Sequence, residues 1–121
     1  MESEEIQLES EIGKITIAPE VLETTARLTA LAVPGVVRLV SPAGMRRLLK
    51  PGGVKVEVTD RRVYVKLYVV TEPHINMLNV GHQIQDEVTR AIQNMIGMDV
   101  GAVDVYIEDV AHPFDESLVS G

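Results

Sequence analysis

The chain lacks cysteine and tryptophan, and its 121 residues include only one phenylalanine and three tyrosines. Without cysteine there can be no disulfide scaffold, thiolate zinc site, iron–sulfur cluster or cysteine nucleophile. Long apolar runs are missing too: residues 30–33 are typical of the longest, far short of the ~18 residues that a membrane-spanning helix needs. The N-terminus is acidic and has no apolar segment of the kind found in secretory signals. We therefore expect one cytoplasmic domain with its own core.

Charge is distributed unevenly along the chain, which has a net charge of −7. Residues 1–11 contain five acids and no base, and residues 67–121 contain nine acids against Arg90 alone. Between these segments, residues 38–66 carry eight bases and two acids. Such segregation can simply reflect solvated side chains, or it can mark a basic surface for an acidic partner, a phosphate or a membrane.

The hydropathy pattern predicts four strands and two helices in the order β-α-β-β-α-β. Alternating apolar residues indicate strands at residues 13–17, 54–59, 63–70 and 103–108. Apolar stripes at helical spacing predict helices over residues 19–33 and 76–96. The expected core stripe of the second helix is Met77, Gly81, Ile84, Val88, Ala91, Ile92 and Met95.

This order of elements favours an α/β (α+β) fold, a two-layer sandwich with both helices on one face of a four-stranded sheet. Residues 36–40 could add a short fifth strand. Residues 1–11 are predicted to be a disordered acidic arm, residues 12–111 a single domain, and residues 112–121 a flexible tail.

Residues with catalytic potential are few. No pair of histidines has the spacing of a helical metal site, and no serine lies in a nucleophile motif. The carboxylates of Asp86-Glu87 and Glu108-Asp109 are adjacent in sequence, so within each pair they point to different sides, as is typical of a solvated edge. We therefore expect a non-enzymatic protein with no catalytic residue, metal, cofactor or small-molecule substrate.

The three tyrosines are predicted to share one face of the sheet. If Val63, Val65 and Leu67 face the helices, strand alternation turns Tyr64, Lys66 and Tyr68 to the opposite face. The same parity places Tyr106 there, between Asp104 and Glu108. Tyrosine suits protein interfaces because it combines a large apolar ring with a polar tip, although it is also common in strands that bind nothing.

We interpret Tyr64, Lys66, Tyr68 and Tyr106 as a candidate surface for a protein partner or for another copy of the chain. An RNA-binding module is the alternative, because such modules stack bases on sheet aromatics. The Gly-aromatic signature of those modules is missing around Tyr64, and Asp104 and Glu108 would repel phosphate. We do not expect nucleic acid to be the partner.

The basic stretch contains a short cationic and apolar segment, in which Arg46, Arg47 and Lys50 accompany Met45, Leu48 and Leu49. Such a segment can rest on an anionic membrane surface, where each cation contributes about 1 kcal/mol. Alternatively, it could contact the acidic C-terminal half of a neighbouring copy, giving head-to-tail assembly, or it could be a solvated loop.

Five segments in the same order resemble the alkaline shock protein family of bacteria: residues 13–21, 33–36, 53–58, 84–88 and 95–105. Two features depart from the family pattern. Relatives often carry a tyrosine-glycine turn where this chain has Glu72-Pro73-His74, and the basic segment of residues 45–50 is variable among them.

The resemblance implies a small non-enzymatic protein of Gram-positive-type bacteria that is tied to envelope or alkaline stress. In that family, some members gather at the cytoplasmic membrane through a small membrane-spanning partner and self-assemble. By this resemblance we expect a homo-oligomer, cytoplasmic or peripheral at the inner face of the membrane. The family brings no catalytic residues with it.

Overall fold

In a computed structural model, residues 5–41 and 52–112 are described, and they form six strands and two helices. The strands are β1 (Ile6–Ser10), β2 (Gly13–Ile17), β3 (Val36–Leu39), β4 (Val54–Thr59), β5 (Arg62–Thr71) and β6 (Asp99–Val110), and the helices are α1 (Pro19–Leu31) and α2 (Met77–Ile96). Both helices pack on one face of a four-stranded sheet. The predicted α+β sandwich is confirmed.

β5 is the central strand of this sheet. β6 runs parallel to it along its whole length, whereas β4 and β3 run antiparallel to it. β4 pairs with residues 62–67 of β5, and β3 pairs with residues 69–71. Because β6 occupies one edge of β5 completely, β4 and β3 follow one another along the other edge. The change of partner takes place at Tyr68.

The β4–β5 hairpin forms where alternation predicted it. Val63, Val65 and Leu67 of β5 are fully buried against the helices. The connecting residues Asp60 and Arg61 both have positive φ, 52° and 64°. Two central residues in this conformation define a type I′ turn, whose twist matches that of the two strands.

Helix boundaries follow local chemistry. α1 begins at Pro19, whose fixed φ suits the first helical turn. α2 is capped by the side chain of Asn76, which accepts a hydrogen bond from the N–H of Asn79 at 2.9 Å. It ends at Gly97, whose φ of 70° is the left-handed conformation common after the last helical turn.

The buried stripe of α2 differs from the predicted one. It consists of Val80, Ile84, Val88, Ile92 and Ile96, spaced four residues apart throughout. Of the residues predicted to join it, Met95 is exposed, whereas Met77 and Gly81 line an open groove beside β6. The stripe is displaced because the buried side of α2 faces both α1 and β6, whereas Met77 and Gly81 lie at the margin of its contact with β6.

The N-terminal segment also differs from its prediction. Residues 6–10, predicted to belong to a disordered arm, form β1, which pairs antiparallel with β2 in a separate two-stranded sheet. Ile6 lies opposite Ile17 and is buried in the core, and Leu8 lies opposite Ile15. These two apolar pairs stabilise the hairpin despite the acids on either side of them, Glu5 and Glu9. The strand predicted at residues 13–17 is present, but it does not join the main sheet.

β3 is the short strand that residues 36–40 were predicted to add, and it takes the fourth position of the main sheet. Most of the predicted C-terminal tail, residues 113–121, lies outside the described residues.

Candidate functional site

The face of the sheet opposite the helices carries the candidate residues in ordered rows. We call it the open face, and it comprises the outward side chains of β4, β5 and β6. Lys66 lies in register between Lys55 of β4 and Asp104 of β6. Tyr64 lies opposite Glu57, and Tyr68 lies beside Tyr106.

Tyr68 and Tyr106 stack on one another. Their ring centroids are 4.7 Å apart and the ring planes differ by 12°. The register of the two parallel strands places these residues side by side, so the contact follows directly from the sheet. A stacked pair of this kind contributes about 1 kcal/mol beyond the area that it buries. The pair forms a rigid aromatic plate at the β6 side of the open face.

Tyr64 covers a glycine in the neighbouring strand. A Cβ built on Gly101 would lie 2.5 Å from two atoms of the Tyr64 ring, so the ring lies directly against the backbone there. The register shifts at this point, and Tyr64 pairs with Ala102, which leaves Gly101 as the extra residue of a bulge. Gly101 is not among the residues predicted from the sequence, although a lone glycine within a strand pattern indicates a bulge or a close approach.

The backbone of Tyr68 joins three strands. Its carbonyl accepts a hydrogen bond from the N–H of Val40 at 2.9 Å, and its N–H donates to the carbonyl of Gly53 at 2.9 Å. Gly53 has a φ of 67°. Three backbone atoms of Val40 and Tyr68 would lie within 3 Å of any Cβ at this position. The backbone under the aromatic plate is therefore closely packed.

Charges on the open face are mixed in sign and exposed. Lys55 and Glu57, two residues apart on β4, approach to 3.7 Å. A pair this exposed contributes little to stability, because water screens it. Lys66 and Asp104 occupy neighbouring positions in register, so cations and carboxylates alternate around the tyrosines. This combination of aromatic and polar groups is typical of a protein interface.

The structure brings together all four residues predicted as a partner surface, on the face that parity indicated. Tyr64 and Tyr106 are each exposed by more than a third, and Tyr68 is half-buried between its neighbours. Their role in binding stays a prediction. The predicted anionic-surface residues Arg46, Arg47 and Lys50 lie outside the described residues.

Within the two described segments, no three side chains of histidine, aspartate or glutamate lie close enough to hold a metal ion. Neither α1 nor α2 is long and apolar enough to cross a membrane. That the chain is not an enzyme stays a prediction.

Comparison with known proteins identifies the family. The model of the alkaline shock protein 23 family, described as having a cell envelope-related function, matches residues 7–112, which is nearly the whole described chain. The chain belongs to the alkaline shock protein family. The resemblance found in its sequence is thereby confirmed, and the function of the family is related to the cell envelope.

Two similar proteins of the same family type come from Bacillus subtilis (strain 168). YqhY is 26% identical over 105 residues, which cover 82% of this chain and 78% of YqhY. YloU is 25% identical over 113 residues, which cover 87% of this chain and 94% of YloU. A third similar protein, Spy1614 of Streptococcus pyogenes serotype M6, is 24% identical over 113 residues, which cover 87% of this chain and 93% of Spy1614.

Solved structures with a similar fold include the domain titled MamM-CTD 215-293. It is 15% identical, with a TM-score of 0.50, over 76% of this chain and 99% of that one. A copper form of the same domain has a TM-score of 0.51 at 15% identity, over 80% of this chain and 90% of that one. At this identity the similarity concerns the fold alone.

Proposed function

We propose that this member of the alkaline shock protein family is a non-enzymatic protein of the envelope or alkaline stress response, which acts by binding a protein partner and other copies of itself through the open face. The observation that carries the proposal is the aromatic plate of Tyr68 and Tyr106, which is partly exposed and surrounded by exposed charges. The envelope-related function of the family supports a role in the envelope stress response.

The aromatic plate of the open face is preorganised for binding. The ring stack and the hydrogen bonds on the backbone of Tyr68 hold the aromatic plate in place before a partner arrives. A rigid aromatic surface loses little conformational entropy on binding, so more of the contact energy remains as affinity. Lys66 and Asp104 then supply the polar contacts that give orientation.

We place this activity at the inner face of the cytoplasmic membrane, through a small membrane-anchoring partner. Support comes from the resemblance to alkaline shock proteins and from the envelope-related function of the family. In this proposal the partner supplies the attachment to the membrane, and the open face binds both this partner and other copies of the chain.

Sedimentation velocity of the purified protein over a range of concentrations tests self-association. We expect wild-type protein to associate, and Tyr106→Ser to weaken the association by about tenfold, as for an interface anchor. Lys66→Glu should weaken it as well, because it adds a negative charge beside Asp104. Two matched controls lie in the helical layer: Leu28→Ser removes an exposed apolar side chain, and Arg90→Glu reverses an exposed charge.

A monomeric wild-type protein, or equal weakening by the open-face variants and the helix controls, would refute self-association through this face. The same preparations test the RNA alternative. Binding to single-stranded RNA that falls with salt and is lost in Tyr106→Ser would assign the tyrosines to nucleic acid instead.

A further inference from the structure

In the part of the chain that the structure describes, the outer edge of β6 is open. In the described residues β6 pairs with β5 alone, although it is twelve residues long. A strand edge of this length presents unpaired backbone groups that another chain can join.

The direction of these groups can be read from one side-chain contact. Gln85 of α2 donates a hydrogen bond from Nε2 to the carbonyl oxygen of Val103 at 3.0 Å, so this carbonyl points away from β5. The register is continuous from Val103 to Ile107. Alternate residues of a strand point their backbone groups to the same edge, so Val105 and Ile107 present their N–H and C=O outward as well.

An apolar groove runs beside this edge. It has a volume of about 330 Å³ and lies between the first half of α2 and the inward side chains of β6. Its lining is mostly apolar and comprises Met77, Leu78, Gly81, His82, Val105 and Ile107, with Gln85 at one end. Leu78 is 71% exposed, so its side chain is largely uncovered by the described chain.

The surroundings of the groove are acidic. Asp104 and Glu108 are exposed neighbours of Val105 and Ile107 on β6, and Asp86 follows His82 by one turn of α2. From residue 67 to residue 112 the sequence contains seven acids and one base, Arg90. A bound segment of positive charge would therefore be favoured, and a second acidic edge would be repelled.

We propose that the outer edge of β6 and the adjoining groove bind an extended segment of another protein in which apolar and basic residues alternate. The segment adds a strand to β6 by pairing with Val105 and Ile107. Its apolar side chains enter the groove beside α2. Successive side chains of a strand point to opposite faces, so the basic residues of the bound segment lie on the other face of the sheet, next to Asp104 and Tyr106. The strand edge and the groove are not part of the open face, but the bound segment would share Asp104 and Tyr106 with it.

The probe is a short acetylated and amidated peptide of alternating lysine and valine, with a fluorescent label for anisotropy at low ionic strength. We expect it to bind about tenfold more tightly than the matching glutamate–valine peptide, because only the lysines complement the acids. A version N-methylated at both the valines and the lysines cannot form the strand hydrogen bonds in either orientation and should not bind. Equal binding of the lysine and N-methylated peptides would overturn strand addition.

Two variants of the chain locate the site. No atom of the described residues lies within 4 Å of a Cβ built on Gly81, so Gly81→Leu should fill the groove without disturbing the fold. It should reduce binding of the lysine peptide about tenfold. Gln83→Leu adds the same side chain on another side of α2 and should leave binding unchanged. If both variants bind like wild type, the groove is not the site.

Charge exchange provides a gain-of-function test. Asp104→Lys should weaken binding of the lysine peptide and strengthen binding of the glutamate peptide. Asp104→Asn, which adds no positive charge beside Lys66, should change both affinities by an intermediate amount. An unchanged preference in Asp104→Asn would refute the charge argument. If wild type binds no peptide and Gly81→Leu instead abolishes self-association in sedimentation, the occupant is a second copy and the proposal is wrong.

Discussion

Replacing Gly53 by alanine should destabilise the protein more than any ordinary surface substitution. Gly53 lies where the edge of β5 changes partner, and its carbonyl accepts the hydrogen bond from the N–H of Tyr68. A Cβ at Gly53 would lie 2.6 Å from the nitrogen and 2.7 Å from the oxygen of Val40, and 2.9 Å from the oxygen of Tyr68. All three are backbone atoms, so no side-chain rotation can relieve the clash.

The loss of unfolding free energy in Gly53→Ala has two contributions. The φ of 67° at Gly53 costs about 1 kcal/mol for any residue with a Cβ. Separation of the backbones weakens the two hydrogen bonds of Tyr68, each worth about 1 kcal/mol. The expected loss is therefore about 3 kcal/mol, equivalent to a fall in melting temperature on the order of 10 °C.

Gly97→Ala is the matched control. Gly97 has nearly the same φ, 70°, but a Cβ there would have no neighbour within 4 Å in the described part of the chain. The Gly97→Ala variant should lose about 1 kcal/mol of unfolding free energy, from the unfavourable φ alone. Urea unfolding followed by circular dichroism measures both variants. Equal losses of unfolding free energy would show that the close approach of Gly53 to Val40 and Tyr68 does not exist.

Three further changes have defined directions. Thr71→Val should stabilise the protein by about 1 kcal/mol in thermal unfolding, because the buried hydroxyl of Thr71 has no hydrogen-bond partner among the described residues; a loss of stability would mean that the hydroxyl does have a partner. Asp60→Asn with Arg61→Gly should also stabilise it by about 1 kcal/mol, since both positions have positive φ; a lower melting temperature would contradict this turn geometry. A double-mutant cycle of Tyr68→Leu and Tyr106→Leu should give a coupling of about 1 kcal/mol, and additive effects would argue against the stack.

The helices and the central hairpin could be predicted because their signals are local. The alternation across residues 63–69 requires one buried and one exposed face, and the ends of α2 carry Asn76 and Gly97, residues with specific capping chemistry. The open face followed from the same alternation. β1 was missed because a strand of five residues flanked by acids has a weak pattern of its own and is stabilised by pairing with β2.

The register between β5 and β6 and the packing of α2 could not be predicted from local sequence patterns. The stack of Tyr68 on Tyr106 depends on which residues of β5 and β6 lie side by side, and two bulges set that register. The groove beside α2 depends on which side of the helix packs against α1, and apolar residues occur on both sides. For this reason Met77 and Gly81 were assigned to the core.

The sequence by itself determined the two helices, the strands of the main sheet with their parity, and the absence of cysteine chemistry, because each follows from residues a few positions apart. Tertiary structure alone decided the parallel pairing of β6, the position of Tyr64 over Gly101 and the open edge beside the groove. These features join residues tens of positions apart in the chain. Their geometry depends on the simultaneous packing of both helices and all four strands of the main sheet, which no local pattern encodes.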